Sequence, residues 1–250
     1  MQAQKKIKET DAIFGRLSQV NPAADRADDV LRLSLDAKAS VKIGDFSRGG
    51  KNRMQRQAAD HDFSPELTLT PYGIFLPRFD DLYLYFTASA VTSDFIVDTL
   101  DRWWRRMRQR FPQVKTLVIN QDNGPENQSR RTQFLKRMVG FAQEHALLVQ
   151  LAYYPPYHSK YNPIEHCWGI LENHWNGEIL DEVDTALNFA RSMTWNGKNP
   201  EVEMVSQGYQ KGVRLSPRQM QEIETQVERS PQLGKWFVDI HGERRKLFIG

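Results

Sequence analysis

Three acidic residues stand where an α/β protein could carry out metal-dependent chemistry. Asp36 lies in a segment of alternating leucines, Asp122 follows a short apolar run, and Glu165 lies at the start of a helical pattern. Segments that are adjacent in one sheet could bring these carboxylates together at a strand edge, where α/β proteins usually place their sites. Mg²⁺ prefers such oxygen ligands, and a pair of ions can stabilise the attacking and leaving oxygens of a phosphodiester displacement. The three residues are therefore candidates for a two-Mg²⁺ site.

Each of these residues also has a structural interpretation that is at least as good when it is taken singly. Asp36 could be a surface strand residue or a turn partner. Asp122 begins Asp-Asn-Gly, most often a simple turn, and Glu165 fits a capping box that begins at Asn162. Glu172, seven residues after Glu165 and on a similar helix face, is the fallback third carboxylate.

Other chemistries have weaker support. His166, Cys167 and His174 lack the paired short spacing that zinc ligands show. Cys167 as a nucleophile is no better supported, because a cysteine packed on a helix face is the ordinary outcome. A single cysteine excludes an internal disulfide framework and fits a reducing cytoplasm.

The composition predicts a soluble globular protein. The chain has 250 residues, of which 40% are hydrophobic and 26% are charged, with no run long enough to span a membrane and no apolar signal-peptide core. Its net charge of +3 is mildly basic. Basic residues cluster at 51–56, 102–110 and 130–137, and each cluster could contact phosphates or form a solvated surface.

The apolar patterns predict an α/β protein, a mixed sheet flanked by helices. Strands are expected at 31–36, 115–120 and 147–154, with a hairpin formed by 73–79 and 82–88 that turns at Asp80-Asp81. Helices are expected at 93–111 with Ser93 as N-cap, at 129–145, from Asn162-Pro163, at 179–193 and from Ser216-Pro217. We expect a polar lead-in at 1–28 that is loosely packed and could contain one helix. A core at 29–177 with a loop insertion at about 44–72 should follow, and then a helical extension at 178–250 packed on the core.

Three segments together carry a family resemblance: LRLSLDAKASVKIGDFSRGG at 31–50, QDNGPEN at 121–127 and YYPPYHSKYNPIEHCWGILE at 153–172. The chain resembles the DDE transposases of bacterial insertion sequences, in particular the ISAzo-type group, relatives of the mariner-like transposases within the retroviral-integrase superfamily. The resemblance implies an RNase H-like fold whose acidic triad is Asp36, Asp122 and Glu165, the last two 43 residues apart. It also implies two Mg²⁺ or Mn²⁺ ions per active site.

The implied reaction is metal-dependent hydrolysis at transposon ends, followed by attack of the freed 3′-hydroxyl on target DNA, with no covalent protein–DNA intermediate. The implied partners are double-stranded DNA and further copies of the chain, with no membrane, no small-molecule cofactor, and a cytoplasmic, nucleoid-associated location. The aromatic loop 153–158 could stack on an unpaired base or simply pack under the next helix. The residues expected to contact DNA are Lys38, Lys51, Arg53, Asn123, Arg130, Arg131, Tyr157, His158 and Lys160.

The sequence departs from full-length relatives in one respect. Those relatives carry an N-terminal helix-turn-helix region, whereas only the polar segment 1–28 precedes the Asp36 strand here. Two hypotheses follow: an active strand-transferase domain, or an inactive truncated fragment that binds DNA or full-length transposase and regulates it. An RNase H-fold nuclease without strand transfer is a third.

Overall fold

The computed structural model describes residues 6–44 and 67–243. The helices are α1 (Thr10–Arg26), α2 (Ser93–Met107), α3 (Thr132–His145), α4 (Ile164–Trp175), α5 (Val183–Ser192) and α6 (Pro217–Glu224). The strands are β1 (Val30–Ala37), β2 (Val41–Ile43), β3 (Leu67–Leu76), β4 (Asp81–Thr87), β5 (Thr116–Gln121), β6 (Leu148–Tyr153), β7 (Glu201–Val205), β8 (Val227–Arg229) and β9 (Phe237–His241). Among the described helices, none has the length and apolar character needed to cross a membrane.

The chain folds into two compact units, each made of segments that are distant in sequence. The first contains the residues up to Ser34, Thr92–Asn162, and the residues from Gln210 onward. The second contains Leu35–Val91 and Pro163–Tyr209. Strand β1 therefore begins in the first unit and ends in the second.

The first unit is built on a mixed sheet. β1 pairs in parallel with β5, and β5 in parallel with β6. β9 then pairs antiparallel with both β6 and β8. Five of the six residues of β5 are buried, as expected for a parallel strand covered on both faces. This arrangement confirms the predicted α/β class.

Helix α1 packs on this unit, so the lead-in forms the single helix that the sequence allowed, although it is not loosely packed. Ile13 and Leu17 are buried. Asp25 accepts two hydrogen bonds from the Arg32 guanidinium of β1, at 2.8 and 2.6 Å. The mainly polar composition of the segment concealed this packing, because its few apolar residues all turn to one side of the helix.

The second unit contains the predicted hairpin. β3 and β4 pair antiparallel from Thr70 opposite Thr87 to Leu76 opposite Asp81. β7 lies parallel to β4, and β2 lies antiparallel to β3. Helices α4 and α5 contribute large buried side chains to its core, including Trp168, Leu171, Trp175 and Leu187.

Several predicted boundaries in this region were wrong. The loop expected at 44–72 ends earlier, because 67–72 belong to β3 and pair with β4; residues 45–66, including Lys51 and Arg53, lie outside the described residues. The hairpin turn is formed by 77–80, and Asp80 has a left-handed backbone with φ 55°. Asp81, which was expected in the turn, is the first residue of β4. Thr92, rather than Ser93, caps α2 by accepting from the Phe95 backbone N–H.

The C-terminal part combines helices and strands. Ser216 caps α6 in a complete capping box, as predicted. The segment 178–250 was expected to be helical, but it also supplies β7, β8 and β9. The predicted domain limits at 28 and 177 stay predictions.

Candidate active site

Asp36 is held by a tryptophan. It is half-buried near the end of β1, and its Oδ2 accepts a hydrogen bond from Trp168 Nε1 at 2.8 Å. Trp168 lies on α4 and is only 4% exposed. A buried indole N–H needs an acceptor, and here that acceptor is a carboxylate, so the bond fixes the orientation of Asp36 relative to α4.

Glu165 lies on the same helix, three residues before Trp168 and hence on a neighbouring part of its surface. The capping interpretation of Glu165 was wrong. Pro163 is the N-cap residue, Glu165 is the second helical residue, and the cap has no side-chain hydrogen bond. Pro163 also has no N–H that a capping glutamate could accept from. Among the described residues, none forms an ion pair or hydrogen bond with the Glu165 carboxylate.

Asn162, the expected cap, has a different role. Its side-chain oxygen accepts a hydrogen bond from Ser34 Oγ at 2.6 Å, and both residues are buried. Asn162 is thereby tied to β1 within the first unit, directly before α4 begins.

Glu172, the alternative third carboxylate, forms an ion pair with a lysine. Lys38 Nζ lies 2.6 Å from Glu172 Oε2. The Lys38 side chain is only 15% exposed, so this lysine balances the charge of Glu172 and is poorly placed to reach a DNA phosphate. The pair leaves Glu165 as the better candidate for the third carboxylate.

Asp122 directly follows β5 in the first unit. The Asn127 side chain donates to Gln121 Oε1 at 3.2 Å, and Tyr153 Oη donates to the Asn127 carbonyl at 2.7 Å. Gln128 N–H closes the turn on the Gly124 carbonyl at 3.0 Å. The turn therefore begins after Gly124, at 125–127, rather than on Asp122-Asn123-Gly124 as predicted, and neighbouring side chains brace the segment.

Burial raises the pKa of Asp122 above its ordinary value, and hydrogen bonds from the Asn127 side chain and from its own backbone only partly oppose this. None of the described basic residues forms an ion pair with Asp122. The adjacent Asn123 Oδ1 is buried without a hydrogen-bond donor among the described groups. These oxygens lack a compensating positive charge, which is the environment that a divalent cation would complete.

One group of acidic and histidine side chains lies close together elsewhere, among residues that were not predicted to bind a metal, and an arginine balances its charge. Asp101, Glu144 and His145 offer ligand atoms within 4.8 Å of one another, the one such group among the described residues. Arg105 forms ion pairs with both Asp101 and Glu144. Burial alone would raise the pKa of Asp101, but the hydrogen bonds from Arg105 and His145 hold that pKa below its usual value. We interpret the group as a surface ion-pair network.

Two residues that were expected to contact DNA are held by internal contacts. Arg131 is paired with Glu126 at 3.1 Å, and its side chain is 13% exposed. His158 is 2% exposed, because its ring packs against Phe14 and Tyr161 and bonds the Pro156 carbonyl. The contacts that hold both side chains are therefore internal, and direct contact of either with DNA stays a prediction.

Other predicted DNA contacts do lie on the surface. Tyr157 is 67% exposed and has a left-handed backbone with φ 66°, which is uncommon for a bulky residue. Lys160 Nζ lies 5.2 Å from the ring centroid of Tyr161, itself 49% exposed. Arg130 is also exposed. An aromatic and basic surface of this kind suits nucleic acid.

Sequence reasoning did not recognise Trp168, Gly73 and Asn127 as parts of the site. Trp168 was assigned only to the apolar face of its helix. The helical spacing between Glu165 and Trp168 was a usable signal, but the Asp36 acceptor depends on tertiary packing. Nothing in the sequence distinguishes Gly73, whose lack of a side chain accommodates Trp168.

Solved structures of distant proteins share the fold. The Mos1 transposase paired-end complex with left transposon end is 11% identical, with a TM-score of 0.50 over 76% of this chain and 56% of that one. The Mos1 mariner paired-end complex with Mn is 8% identical, with a TM-score of 0.49 over the same shares. The first likeness confirms the predicted RNase H-like fold, and the chain spans little more than half the length of these proteins.

No curated protein sequence matches the chain significantly. The sequence model of the Rhodopirellula transposase DDE domain, by contrast, matches residues 1–242, which is nearly the whole chain. The match includes all three segments that suggested a DDE transposase, and so confirms that prediction. The chain belongs to the Rhodopirellula transposase DDE domain family.

Proposed function

We propose that this domain cuts DNA at transposon ends and joins the freed 3′-ends to target DNA. In this proposal Asp36, Asp122 and Glu165 are the catalytic carboxylates, and they hold two Mg²⁺ or Mn²⁺ ions. Membership of a transposase DDE family supports the reaction class. The residue assignment is supported by the surroundings of each carboxylate.

The observation that carries the proposal is the register of β1 and β5. In these parallel strands Val30 is paired with Thr116, and the same register continues to Ser34, which is paired with Asn120. Asp36 lies in β1 two residues after the last of these pairs, and Asp122 is the first residue after β5. Strand ends are where α/β proteins usually place their sites, so we propose that both carboxylates bind the ions.

The third carboxylate follows from the Asp36–Trp168 hydrogen bond. That bond ties α4 to the end of β1, and Glu165 lies less than one turn before Trp168. Glu165 has no counter-ion among the described residues, whereas Glu172 is neutralised by Lys38. The lack of a counter-ion for Glu165 within 6–44 and 67–243 supports its assignment as a metal ligand.

The expected chemical role of the chain is mainly to position carboxylates that hold divalent ions. Divalent ions, when bound, would lower the pKa of a water or 3′-hydroxyl nucleophile and neutralise charge on the leaving oxygen. Three carboxylates brought to one site would repel one another, and bound cations would relieve that repulsion. The buried surroundings of Asp122 also favour a bound cation, since they oppose ionisation without a counter-charge.

The proposed partner is double-stranded DNA, at transposon ends and at the target. The exposed residues Tyr157, Lys160 and Arg130 are proposed to contact it. The Mos1 neighbour is a paired-end complex with a transposon end, which supports both a DNA partner and a homo-oligomer for this chain. Action on DNA in a bacterial cell would place the protein in the cytoplasm at the nucleoid.

The test is strand cleavage and joining on DNA that carries the element's ends. Asp36→Ala, Asp122→Ala and Glu165→Ala should each lower the rate by several orders of magnitude, since each removes a ligand that acts only through the ions. Glu144→Ala, in the ion-pair network, is the control and should retain activity. Intact cleavage in all three variants would refute the assignment.

Product analysis separates the remaining alternatives. Joined products support a transposase, whereas hydrolysed ends without joining would indicate a nuclease. The wild-type chain would be the regulatory fragment if it bound DNA or full-length transposase without nicking, even with Mn²⁺. The family match does not favour that alternative, because it extends across the whole catalytic domain.

A further inference from the structure

We infer that Trp168 is a positioning residue for metal binding, which orients Asp36 through its indole N–H and is itself seated against Gly73. The inference rests on the proposed function, in which Asp36 is a metal ligand. It adds a residue whose role would be exerted through Asp36, without contact with substrate.

The Trp168–Asp36 hydrogen bond has the geometry of a strong, directional contact. Nε1 and Oδ2 are 2.8 Å apart, and Trp168 is 4% exposed. Hydrogen bonds to an ionised carboxylate are stronger than neutral ones. A buried donor that lost this acceptor would have no water to replace it, so the indole and the carboxylate stabilise one another's position.

Gly73 provides the space in which the indole lies. A Cβ built at Gly73 of β3 would come within 2.8 Å of Trp168 Cη2 and 2.5 Å of Ile164 Cδ1. Real Cβ atoms do not approach other atoms so closely, so a side chain at 73 would require the Trp168 ring and the Ile164 side chain to shift. Both of these residues lie in the first turns of α4, which also carry Glu165.

This contact bears on metal affinity because a ligand held in one orientation loses less freedom when a cation binds. Residues that orient metal ligands typically change affinity about 10- to 100-fold when they are mutated. The three residues Gly73, Trp168 and Asp36 belong to one compact unit, so their contacts lie within that unit.

The protein contains a matched control. Trp195 Nε1 donates to Asp80 Oδ1 at 3.0 Å, in the same unit and with the same pair of chemical groups. Asp80 lies in the hairpin turn and is not among the proposed ligands. Trp195→Phe therefore removes an equivalent hydrogen bond without touching the proposed site.

The experiment measures Mn²⁺ binding to the full chain by the loss of the free Mn²⁺ electron paramagnetic resonance signal. Trp168→Phe keeps the ring and removes the donor, and it should raise the Mn²⁺ Kd about 10- to 100-fold. Gly73→Ala should raise the Kd in the same direction, and Trp195→Phe should leave it unchanged. Thermal unfolding of each variant establishes that it is folded.

The outcomes separate this inference from the proposed function. If wild type binds no Mn²⁺, or Asp36→Ala binds it as wild type does, the proposed function fails. If Asp36→Ala loses binding while folded Trp168→Phe binds normally, the role of Trp168 is refuted and the proposed function stands. Normal binding by folded Gly73→Ala refutes the part assigned to Gly73.

A measurement on wild type applies even if Trp168→Phe does not fold. The Trp168 indole N–H signal, assigned by through-bond NMR in ¹⁵N-labelled protein, should shift when Mg²⁺ is added, because its acceptor becomes a metal ligand. The Trp195 signal should not shift. A Trp168 signal that stays in place while Mg²⁺ binds would overturn the inference.

Discussion

The environment of Asp122 indicates that this carboxylate binds a cation. Its pKa is raised by burial, and no described basic residue is paired with it. Ionised Asp122 therefore destabilises the folded chain unless a cation is present. The stability associated with protonated Asp122 is fully present below the ordinary carboxyl pKa and is lost as the pH rises through the raised value.

The first prediction follows from the destabilising effect of ionised Asp122 on the folded state. Without divalent ions at neutral pH, Asp122→Asn should have a higher free energy of unfolding than wild type, because the amide has the same shape and no charge. The difference should disappear in acid. Urea unfolding in a chelator as a function of pH measures it, and a less stable variant at neutral pH would contradict the account.

The same pair of proteins should respond oppositely to metal. Mn²⁺ at about 100 times its Kd should stabilise wild type by about 2.7 kcal/mol, since a ligand that binds only the folded state shifts the unfolding equilibrium by mass action. Asp122→Asn should be stabilised much less. Equal stabilisation of both proteins would mean that Asp122 is not a ligand.

At the residue scale, the sequence indicated the carboxylates but not their neighbours. The order of Asp36, Asp122 and Glu165 within matching segments was sufficient to propose them. The roles of Arg131 and His158 could not be predicted, because each depends on a partner that tertiary structure supplies. From its residue type alone, Arg131 was expected to bind phosphate. In the structure it forms an ion pair with Glu126.

At the scale of elements, α1 is clamped to β1 by one ion pair. The Arg32 side chain is 9% exposed and that of Asp25 29% exposed. Arg32 also donates to Asn120 Oδ1 at 3.2 Å, and Asn120 donates to Asn21 of α1 at 3.0 Å. These hydrogen bonds join α1 to both strands, so α1 supports β1, which contains Asp36, and β5, which ends directly before Asp122.

The second prediction concerns that clamp. Asp25→Ala should lower the free energy of unfolding by about 2–3 kcal/mol, because it leaves a mostly buried guanidinium without its counter-charge. Asp11→Ala on the same helix removes the exposed pair with Lys6 and should cost less than about 0.5 kcal/mol. Urea unfolding measures both, and equal small effects would show that α1 contributes little to the unit.

Most elements were predictable, and the exceptions have physical causes. Strong 3.6-residue and alternating patterns located the principal helices and the strands β1, β5 and β6. The start of β3 was taken for loop because Pro71 and two threonines look irregular in sequence, and only the pairing of Thr70 and Pro71 with β4 makes them strand. β8 and β9 were missed because a strand's partner cannot be read from its own residues.

At the scale of the whole molecule, the net charge is +3, and several of the basic side chains form ion pairs with acidic ones. Arg105 and Arg137 are both engaged by acidic side chains. Lys160 is exposed, has no acidic partner among the described residues, and lies beside Tyr161. DNA affinity should therefore depend on a few unpaired cations rather than on the basic clusters as wholes.

The third prediction uses salt dependence to count those cations. Lys160→Ala should weaken DNA binding for all sequences and reduce the slope of log K against log salt by about one contact. Lys6→Ala, which breaks an exposed ion pair with Asp11, is the control and should leave the slope unchanged. Fluorescence anisotropy over a salt series measures the slope, and the same slope in Lys160→Ala and wild type would remove Lys160 from the DNA surface.

The most direct test of the central claim is the position of Mn²⁺ in crystals, located by its anomalous scattering. The account predicts two peaks about 3.5–4 Å apart, coordinated by Asp36, Asp122 and Glu165. The opposite result is strong Mn²⁺ density at Asp101, Glu144 and His145, or elsewhere, with none at the three carboxylates. That result would contradict the assignment of the active site.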